Sequence, residues 1–396
     1  NFCQNSKDKT FLNVSFIIQI SLFYINANDL RKRLHHLCLN YTTFYFFVKA
    51  FFKFFFILSI SITLICLLTL SLLGFSDIIL AMKSYNTLND YYRNLFGEKT
   101  FKVPIDAGFD CPNRDGTVAH GGCTFCTVSG SGDAIVAPDA PIREQFYKEI
   151  DFMHRKWPDV KKYLVYFQNF TNTHEKLEVI RERYEQAINE PGVVGINIGT
   201  RPDCLPDETI EYLAELSERI HVTVELGLQT TYEETSELIN RAHSYELYVE
   251  TVKRLRKYPK IEIVAHLING LPGETHDMMV ENVRRCVTDN DIQGIKLHLL
   301  HLMTNTRMQR DYHEGRLQLM SQDEYVKVIC DQLEIIPKHI VIHRITGDAP
   351  RDMLIGPMWS LNKWEVLNSI ESEMRRRGSV QGCKAVKQEF MNEKTT

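Results

Sequence analysis

The sequence predicts an α/β protein built on a partial TIM-like (β/α)6 barrel with a C-terminal extension. From about residue 100 onward, short β-branched apolar runs alternate with amphipathic helical patterns, which is typical of a parallel sheet with crossover helices. No G-x-G-x-x-G motif follows the first run, and this absence counts against a Rossmann sheet. The predicted strands are residues 102–105, 163–167, 193–198, 221–226, 261–267 and 295–300, with 340–345 as a seventh.

The segments between these strands have the pattern of helices. Over residues 177–188, apolar side chains recur at helical spacing. Pro206 followed by two acidic residues predicts a helix start. Residues 232–255 also have a helical pattern, interrupted near 242–244. In a barrel of such units the functional side chains belong at the carboxyl ends of the strands.

Charge and cysteine content narrow the class of protein. Residues 1–81 contain seven basic and three acidic side chains, a net charge of +4, which leaves 39 basic and 47 acidic residues and a net charge of −8 in the rest. An acidic main body argues against bulk, non-specific nucleic-acid binding. Seven of the ten cysteines are scattered singly, unlike a secreted disulfide scaffold, so we expect a reducing compartment, the cytoplasm.

The first 81 residues differ from the remainder. Residues 54–75 are 22 uncharged residues, long enough for a candidate transmembrane helix. The alternative is that residues 1–81 are translated upstream sequence and that the native protein begins at Met82, where the character changes to that of a soluble enzyme. We favour this second interpretation, with a membrane anchor only if residues 1–81 are genuine. The predicted organisation beyond them is a core barrel over 82–310 and a helical extension over 311–396.

Three cysteines follow the first predicted strand as C-x11-C-x2-C: Cys111, Cys123 and Cys126. Three thiolates at a barrel mouth can hold a [4Fe–4S] cluster and leave one iron open for chemistry. A zinc site, with His120 or Cys204 as the fourth ligand, and three unrelated thiols are the alternatives.

The ending Thr124-Phe125-Cys126 resembles the radical S-adenosylmethionine (SAM) superfamily, whose commonest signature is C-x3-C-x2-C with an aromatic residue before the last cysteine. Eleven residues stand between the first two cysteines here instead of three. This departure fits the YtqA/YhcC-like bacterial subgroup, which is similar to the radical domain of the elongator acetyltransferase-like family and to oxygen-independent coproporphyrinogen oxidase. The resemblance implies that the three cysteines hold the cluster, that SAM chelates the fourth iron, and that Phe125 packs over the bound ligand.

The same resemblance implies SAM-binding residues at later strand ends. Gln168 and Asn169 replace the glycines that contact the SAM amino group in related enzymes. Arg201, in the T-R-P-D motif, is expected to contact the SAM carboxylate or a substrate anion; the glutamate usual in that motif is Gly199 here. Further expected SAM contacts are Gln229 and Arg241 on the ribose and carboxylate, His266 where relatives have a ribose-binding aspartate, and Gly270 of G-L-P-G-E-T beneath the adenine.

Candidate catalytic or substrate contacts are Glu225, Lys296 and His298. Glu225 is expected in the barrel interior, and alternation places Lys296 and His298 on one strand face. His301 is a weaker candidate, and Asp348, Arg351 and Trp359 of the extension are expected near the barrel mouth.

The resemblance implies reductive cleavage of SAM to a 5′-deoxyadenosyl radical that abstracts hydrogen from the substrate, with an electron donor such as flavodoxin or ferredoxin. It also favours the C5 side chain of a tRNA wobble uridine as the target. The basic runs 154–162, 253–260 and 375–377 give this only weak support, since such runs are usually solvated faces. A radical SAM enzyme on a small metabolite or peptide, and a non-catalytic zinc-binding module, remain the alternatives.

Overall fold

The computed structural model describes residues 49–51, 53, 83–128, 130, 135 and 137–385. The chain divides into two compact units, Asn1–Met82 and Lys83–Thr396, and the fold below is that of the second. Among the described residues, no helix is long and apolar enough to cross a membrane. The apolar run 54–75 and the interpretation of residues 1–81 as upstream sequence lie outside them.

Seven parallel strands form one sheet, in which each strand pairs with the next along the chain. They are β1 (Thr100–Ile105), β2 (Lys162–Phe167), β3 (Val193–Thr200), β4 (His221–Gln229), β5 (Ile261–Asn269), β6 (Gly294–Leu299) and β8 (Val341–Arg344). The two short strands β7 (Leu302–Met303) and β9 (Leu354–Gly356) form an antiparallel pair beside it. The sheet is a half-barrel with β1 and β8 at its edges, so the predicted incomplete barrel is confirmed.

Helices connect the strands, as a parallel sheet requires. They are α1 (Leu88–Phe96), α2 (Ile142–His154), α3 (Leu177–Ile188), α4 (Asp207–Ser217), α5 (Glu233–Leu238), α6 (Tyr245–Leu255), α7 (His276–Asp289), α8 (Met308–His313), α9 (Gln322–Ile335) and α10 (Lys363–Arg377). The start of α4 after Pro206 and the break between α5 and α6 agree with the sequence prediction.

Side-chain caps explain several of these helix starts. Ser244 accepts a hydrogen bond from the Leu247 amide at the start of α6, and Thr275 accepts one from the Met278 amide at the start of α7. Ser321 and Glu324 form a capping box at α9. These caps satisfy amide groups that the first turn of a helix leaves unpaired.

The core lies between the sheet and the helices, and its strand residues, such as Val103, Ile198 and Leu297, are fully buried. The last strand of this sheet comes from beyond residue 310. β8 pairs with β6, and α9 and α10 pack together. The segment predicted as a C-terminal extension therefore completes the sheet, and the boundary at 310/311 stays a prediction.

Candidate active site

A cavity of about 410 Å³ opens at the carboxyl ends of the strands, and Cys111, Cys123 and Cys126 line it together. The three cysteines belong to the loop between β1 and α2, and each is partly exposed. Since this is the edge of a parallel barrel at which active sites form, the position agrees with the sequence prediction. The volume falls in the range of about 300–1,000 Å³ typical of small-molecule sites.

The segment between α5 and α6 holds the cysteine loop in place. Asn113 donates its side-chain N–H to the Asn240 carbonyl at 2.6 Å. Asn240 in turn donates to the Gly122 carbonyl at 2.8 Å and to the His120 carbonyl at 3.2 Å. Two carboxamides thus lock the backbone just before Cys123 to a segment more than 100 residues away in the chain.

Arg241 fixes the conformation of that segment. Its side chain is fully buried and donates to the carbonyls of Leu228 at 2.7 Å and His243 at 2.7 and 3.0 Å. The neighbouring Asn240 and Ala242 both have positive φ angles, 54° and 62°, and a backbone in this region needs such support.

The thiols lie in a charged environment suited to ligation. A hydrogen bond donated by Cys126 lowers the pKa of Cys123 to about 7, against the effect of burial and with a contribution from the Arg201 guanidinium. The pKa of Cys126 is raised well above its usual value by this same bond and by burial. Burial also raises the pKa of Cys111. Because metals bind thiolates, a nearby guanidinium favours the ligating form.

This donor set fits a [4Fe–4S] cluster held by three thiolates. The three sulfur donors share one cavity wall, and the open cavity beside them would admit the fourth ligand. In the part of the chain that the structure describes, no group of three or more His, Cys, Asp or Glu is arranged to hold a single metal ion. Cluster cysteines bond separate irons and need not converge on one point.

A buried ion cluster forms the floor of the cavity around Glu225, which is 1% exposed. Its carboxylate accepts hydrogen bonds from Lys102 at 2.6 Å, from His266 at 3.1 Å and from Lys296. Burial alone would raise the pKa of Glu225, but the two ammonium groups outweigh it and hold this pKa well below its ordinary value. The carboxylate is therefore charged, and side chains of four other strands donate to it, since Asn197 of β3 also does so at 3.4 Å.

Burial lowers the pKa of the other titratable groups on the floor. Burial lowers the pKa of Lys296 to about 7, since the attraction of Glu225 is opposed by Lys102 and Arg344. Burial and Lys296 lower the pKa of His266 to about 4, and His298 is shifted down by burial and by the His266 ring, whose centroid is 5.4 Å away. A neutral histidine can accept as well as donate a hydrogen bond.

Eleven of the fourteen residues predicted for the site line this cavity: Cys111, Cys123, Cys126, Phe125, Gln168, Arg201, Glu225, Gln229, His266, Lys296 and His298. The shared face of Lys296 and His298 is as predicted. Arg201 reaches the cavity while it pairs with Asp203 at 2.7 and 2.9 Å, so part of its charge is already compensated.

Three predicted residues, Asn169, Arg241 and Gly270, do not line the cavity. Asn169 donates a hydrogen bond to the Asp106 carboxylate at 2.6 Å. The Arg241 guanidinium donates its hydrogen bonds to main-chain carbonyls, as described above. Gly270 has a φ of 88° and lies against Met320, in the turn after β5. In the structure, each of these three residues contacts other parts of the chain, and their predicted SAM contacts stay predictions.

The structure adds residues that sequence reasoning did not assign to the site. Arg344 at the end of β8 lines the cavity, and Lys102 of β1 pairs with Glu225 beneath it. Asp348 lines the cavity as expected, whereas Arg351 is exposed and Trp359 donates its indole N–H to the Met320 carbonyl at 2.9 Å. The one available signal for Lys102 and Arg344 was a charged side chain within a predicted apolar strand.

Known proteins with similar sequences include YtqA of Bacillus subtilis (strain 168), 56% identical over 300 residues that cover 76% of this chain and 92% of YtqA. YhcC of Escherichia coli (strain K12) is 35% identical over 288 residues, 72% of this chain and 91% of YhcC. A tRNA uridine(34) acetyltransferase of Methanocaldococcus infernus is 27% identical over 189 residues, 46% of this chain and 34% of that protein.

The solved structure of the M. infernus Elp3 with an N-terminal deletion superposes with a TM-score of 0.54 at 18% identity, over 71% of this chain and 64% of that one, which shows the shared fold. Residues 115–286 match the family model described as the radical SAM superfamily, and residues 292–376 match that of the Radical_SAM C-terminal domain. Because the identity to YtqA extends over nearly all of that protein and the superfamily model covers β2 to β5 of the barrel, this chain belongs to the radical SAM superfamily.

Proposed function

We propose that this enzyme binds a [4Fe–4S] cluster through Cys111, Cys123 and Cys126, binds SAM beside it, and modifies the C5 side chain of a tRNA wobble uridine. The observation that supports the cluster is that all three cysteines line one cavity at the barrel mouth. The tRNA substrate is supported by the similarity to a protein named tRNA uridine(34) acetyltransferase.

When bound, the cluster and SAM would supply one-electron cleavage of SAM and a carbon radical that removes hydrogen from the substrate. The chain's own residues bind and orient the reactants. Arg201 places positive charge beside the thiolates, and Gln168 and Gln229 line the same cavity as the cysteines and Glu225. The floor of the cavity is itself buried, with Glu225 1% and Lys296 4% exposed.

The basic runs contribute less to the tRNA proposal than their sequences suggest. In 253–260, Arg254, Arg256 and Lys260 pair with carboxylates at or below 2.8 Å. All three arginines of 375–377 also pair with carboxylates. These two runs are largely neutralised, which keeps a small metabolite or peptide as the alternative substrate.

We expect the substitution Cys111→Ala to abolish retention of the cluster, because the two thiolates that remain are too few to hold it. Iron and sulfide are measured after anaerobic reconstitution, together with release of 5′-deoxyadenosine from SAM. The matched control is Cys383→Ala, which removes an exposed free thiol outside the cavity and should leave both readouts unchanged. Normal iron content in the Cys111→Ala protein would contradict the ligand assignment, and a colourless parent with one bound zinc would favour the zinc-binding module.

Nucleoside mass spectrometry of tRNA tests the substrate. A deletion strain should lose or change a modified uridine at the wobble position, and the parent gene should restore it where the Cys111→Ala gene does not. Unchanged tRNA nucleosides, alongside active SAM cleavage by the purified enzyme, would reject the tRNA substrate and favour a metabolite or peptide.

A further inference from the structure

The β5–β6–β8 side of the cavity carries a row of nitrogen groups at one level of the sheet. Lys296 of β6 is the register partner of His266 on β5 and of Arg344 on β8. All three line the cavity. Register partners on adjacent parallel strands lie about 5 Å apart, so their side chains point into the same small volume.

Several hydrogen-bond donors in this row are unused. Within the described part of the chain, Arg344 makes no hydrogen bond, although its side chain is only 35% exposed. Its nearest carboxylate is that of Asp348, and the distance from Nη2 of Arg344 to Oδ2 of Asp348 is 3.7 Å. Lys296 bonds Glu225 and the Tyr166 hydroxyl at 3.1 Å, which leaves its third N–H. The buried Nε2 atoms of His298 and His301 also have no partner among the described residues. Buried polar atoms without partners are uncommon in a folded protein, and these two are free to bond a ligand, an ion or water in the cavity.

The charges around the row favour an anion. Among the described residues that line the cavity, Glu225 is the one fully buried carboxylate; Lys102 and Lys296 pair with it, and Arg344 lines the same cavity. Asp348, the other acid on this side, lies 3.7 Å from Arg344 and is also paired from outside by Lys363 at 2.9 and 3.0 Å, so two cations share its charge. Excess positive charge in a desolvated pocket stabilises a bound anion more strongly than the same charge on an exposed surface does.

We propose that Arg344 and Lys296, with His298 and His301, form an anion site that holds a carboxylate or phosphate group of the substrate. This inference rests on the proposed function in that it takes the cavity to bind substrate. A guanidinium offers two parallel N–H groups to a carboxylate or phosphate, and the lysine adds a point charge. The lowered pKa of Lys296 agrees with this geometry, because burial and the neighbouring cations that lower it would be offset by an anion.

Gly347 allows the β8 loop to complete the site. A Cβ atom at this position would lie 2.3 Å from Cε1 of His301, closer than real contacts permit. The glycine therefore lets the loop that carries Asp348 close against the His301 ring at the rim of the pocket.

The test is calorimetric titration of the full-length protein, saturated with SAM, with inorganic phosphate in one series and acetate in another. Saturation with SAM removes SAM's own carboxylate as a competitor for the site. We expect Arg344→Gln to weaken binding of the preferred anion at least about tenfold. Arg351→Gln is the matched control, since Arg351 is exposed, lies seven residues along the same segment and does not line the cavity.

Stronger binding of phosphate would identify a phosphoryl group as the natural ligand, and stronger binding of acetate a carboxylate. Equal anion affinities in the parent and Arg344→Gln proteins would contradict the anion site. Anion binding that occurs without SAM but is lost in the SAM-saturated protein would contradict it as well. Lys296→Gln is a second variant with the same expected loss. The titration contains no tRNA, so its result does not depend on the tRNA substrate. Unchanged tRNA nucleosides in the deletion strain would reject the proposed tRNA substrate without contradicting the anion site.

Discussion

Among single residues, Glu225 determines the electrostatics of the barrel interior. A carboxylate that is 1% exposed is stable in its charged form only with close partners, and Lys102, His266 and Lys296 supply them. From sequence, Glu225 was a candidate partner for an amine of SAM or substrate. The structure instead pairs it with amines of the chain itself, and its contact with a ligand stays a prediction.

Substitution Glu225→Gln should lower the free energy of unfolding by about 3–5 kcal/mol, because it leaves two buried ammonium groups without their counter-charge. Part of the loss is relieved by deprotonation of Lys296, whose pKa is already about 7. The measurement is equilibrium unfolding in urea, monitored by circular dichroism. Glu215→Gln is the control, since the Glu215 side chain is 63% exposed and its pair with Arg181 is a surface one. If the two variants lose equal stability, Glu225 does not hold the cluster together.

Among the structural elements, the cysteine loop depends on the segment between α5 and α6. Asn240 combines two roles there: its backbone takes a φ of 54°, and its side chain holds the Gly122 carbonyl. Asparagine and glycine are the residues that adopt this conformation most readily. Replacement by glycine therefore removes the side-chain contact without straining the backbone.

Substitution Asn240→Gly should speed the loss of iron several-fold while the thermal unfolding midpoint stays near that of the parent. The physical reason is that the loop then loses the two hydrogen bonds that the Asn240 side chain donates to the Gly122 and His120 carbonyls, and opens more often. The measurement is the rate of iron transfer to a chelator under anaerobic conditions. Asn305→Gly is a matched control, because Asn305 is exposed and also has a positive φ, 61°, outside the cavity lining. Equal rates of iron loss in the two variants would show that Asn240 does not position the loop.

Across the whole molecule, local patterns predicted most of the fold. Each predicted strand overlaps an observed one because buried parallel strands are rich in apolar residues, as in Lys162–Phe167, where every residue after Lys162 is buried. The three cysteines were predicted to meet because their spacing is local and follows β1 directly. The half-barrel itself followed from the alternation of strands and helices.

Long-range contacts could not be read from the sequence. Nothing near Arg344 or Lys102 indicates that β8 and β1 each bring a cation to the same cavity as Glu225. Arg241 shows the same limit: its position matches a SAM ligand of related enzymes, but only the folded segment shows its guanidinium bonded to the carbonyls of Leu228 and His243, and its SAM contact stays a prediction. Hydrogen bonds across more than 100 residues, such as that of Asn113 with Asn240, leave no local pattern.

The sheet topology also predicts that stable folding of the barrel depends on the residues after Arg310. A chain shortened after Arg310 would lose β8, the cavity residue Arg344, and α9, whose Gln332 bonds Asn269 of β5 at 2.7 and 3.0 Å. Buried side chains of α9 such as Tyr325 each contribute about 1.5–3 kcal/mol, so the loss of several approaches the whole stability of a domain, about 5–15 kcal/mol. We expect the shortened chain to show no cooperative thermal unfolding by calorimetry, whereas removal of residues 386–396 alone should leave the transition in place. A sharp transition in the chain that ends at Arg310 would establish 82–310 as an independent folding unit and contradict this dependence.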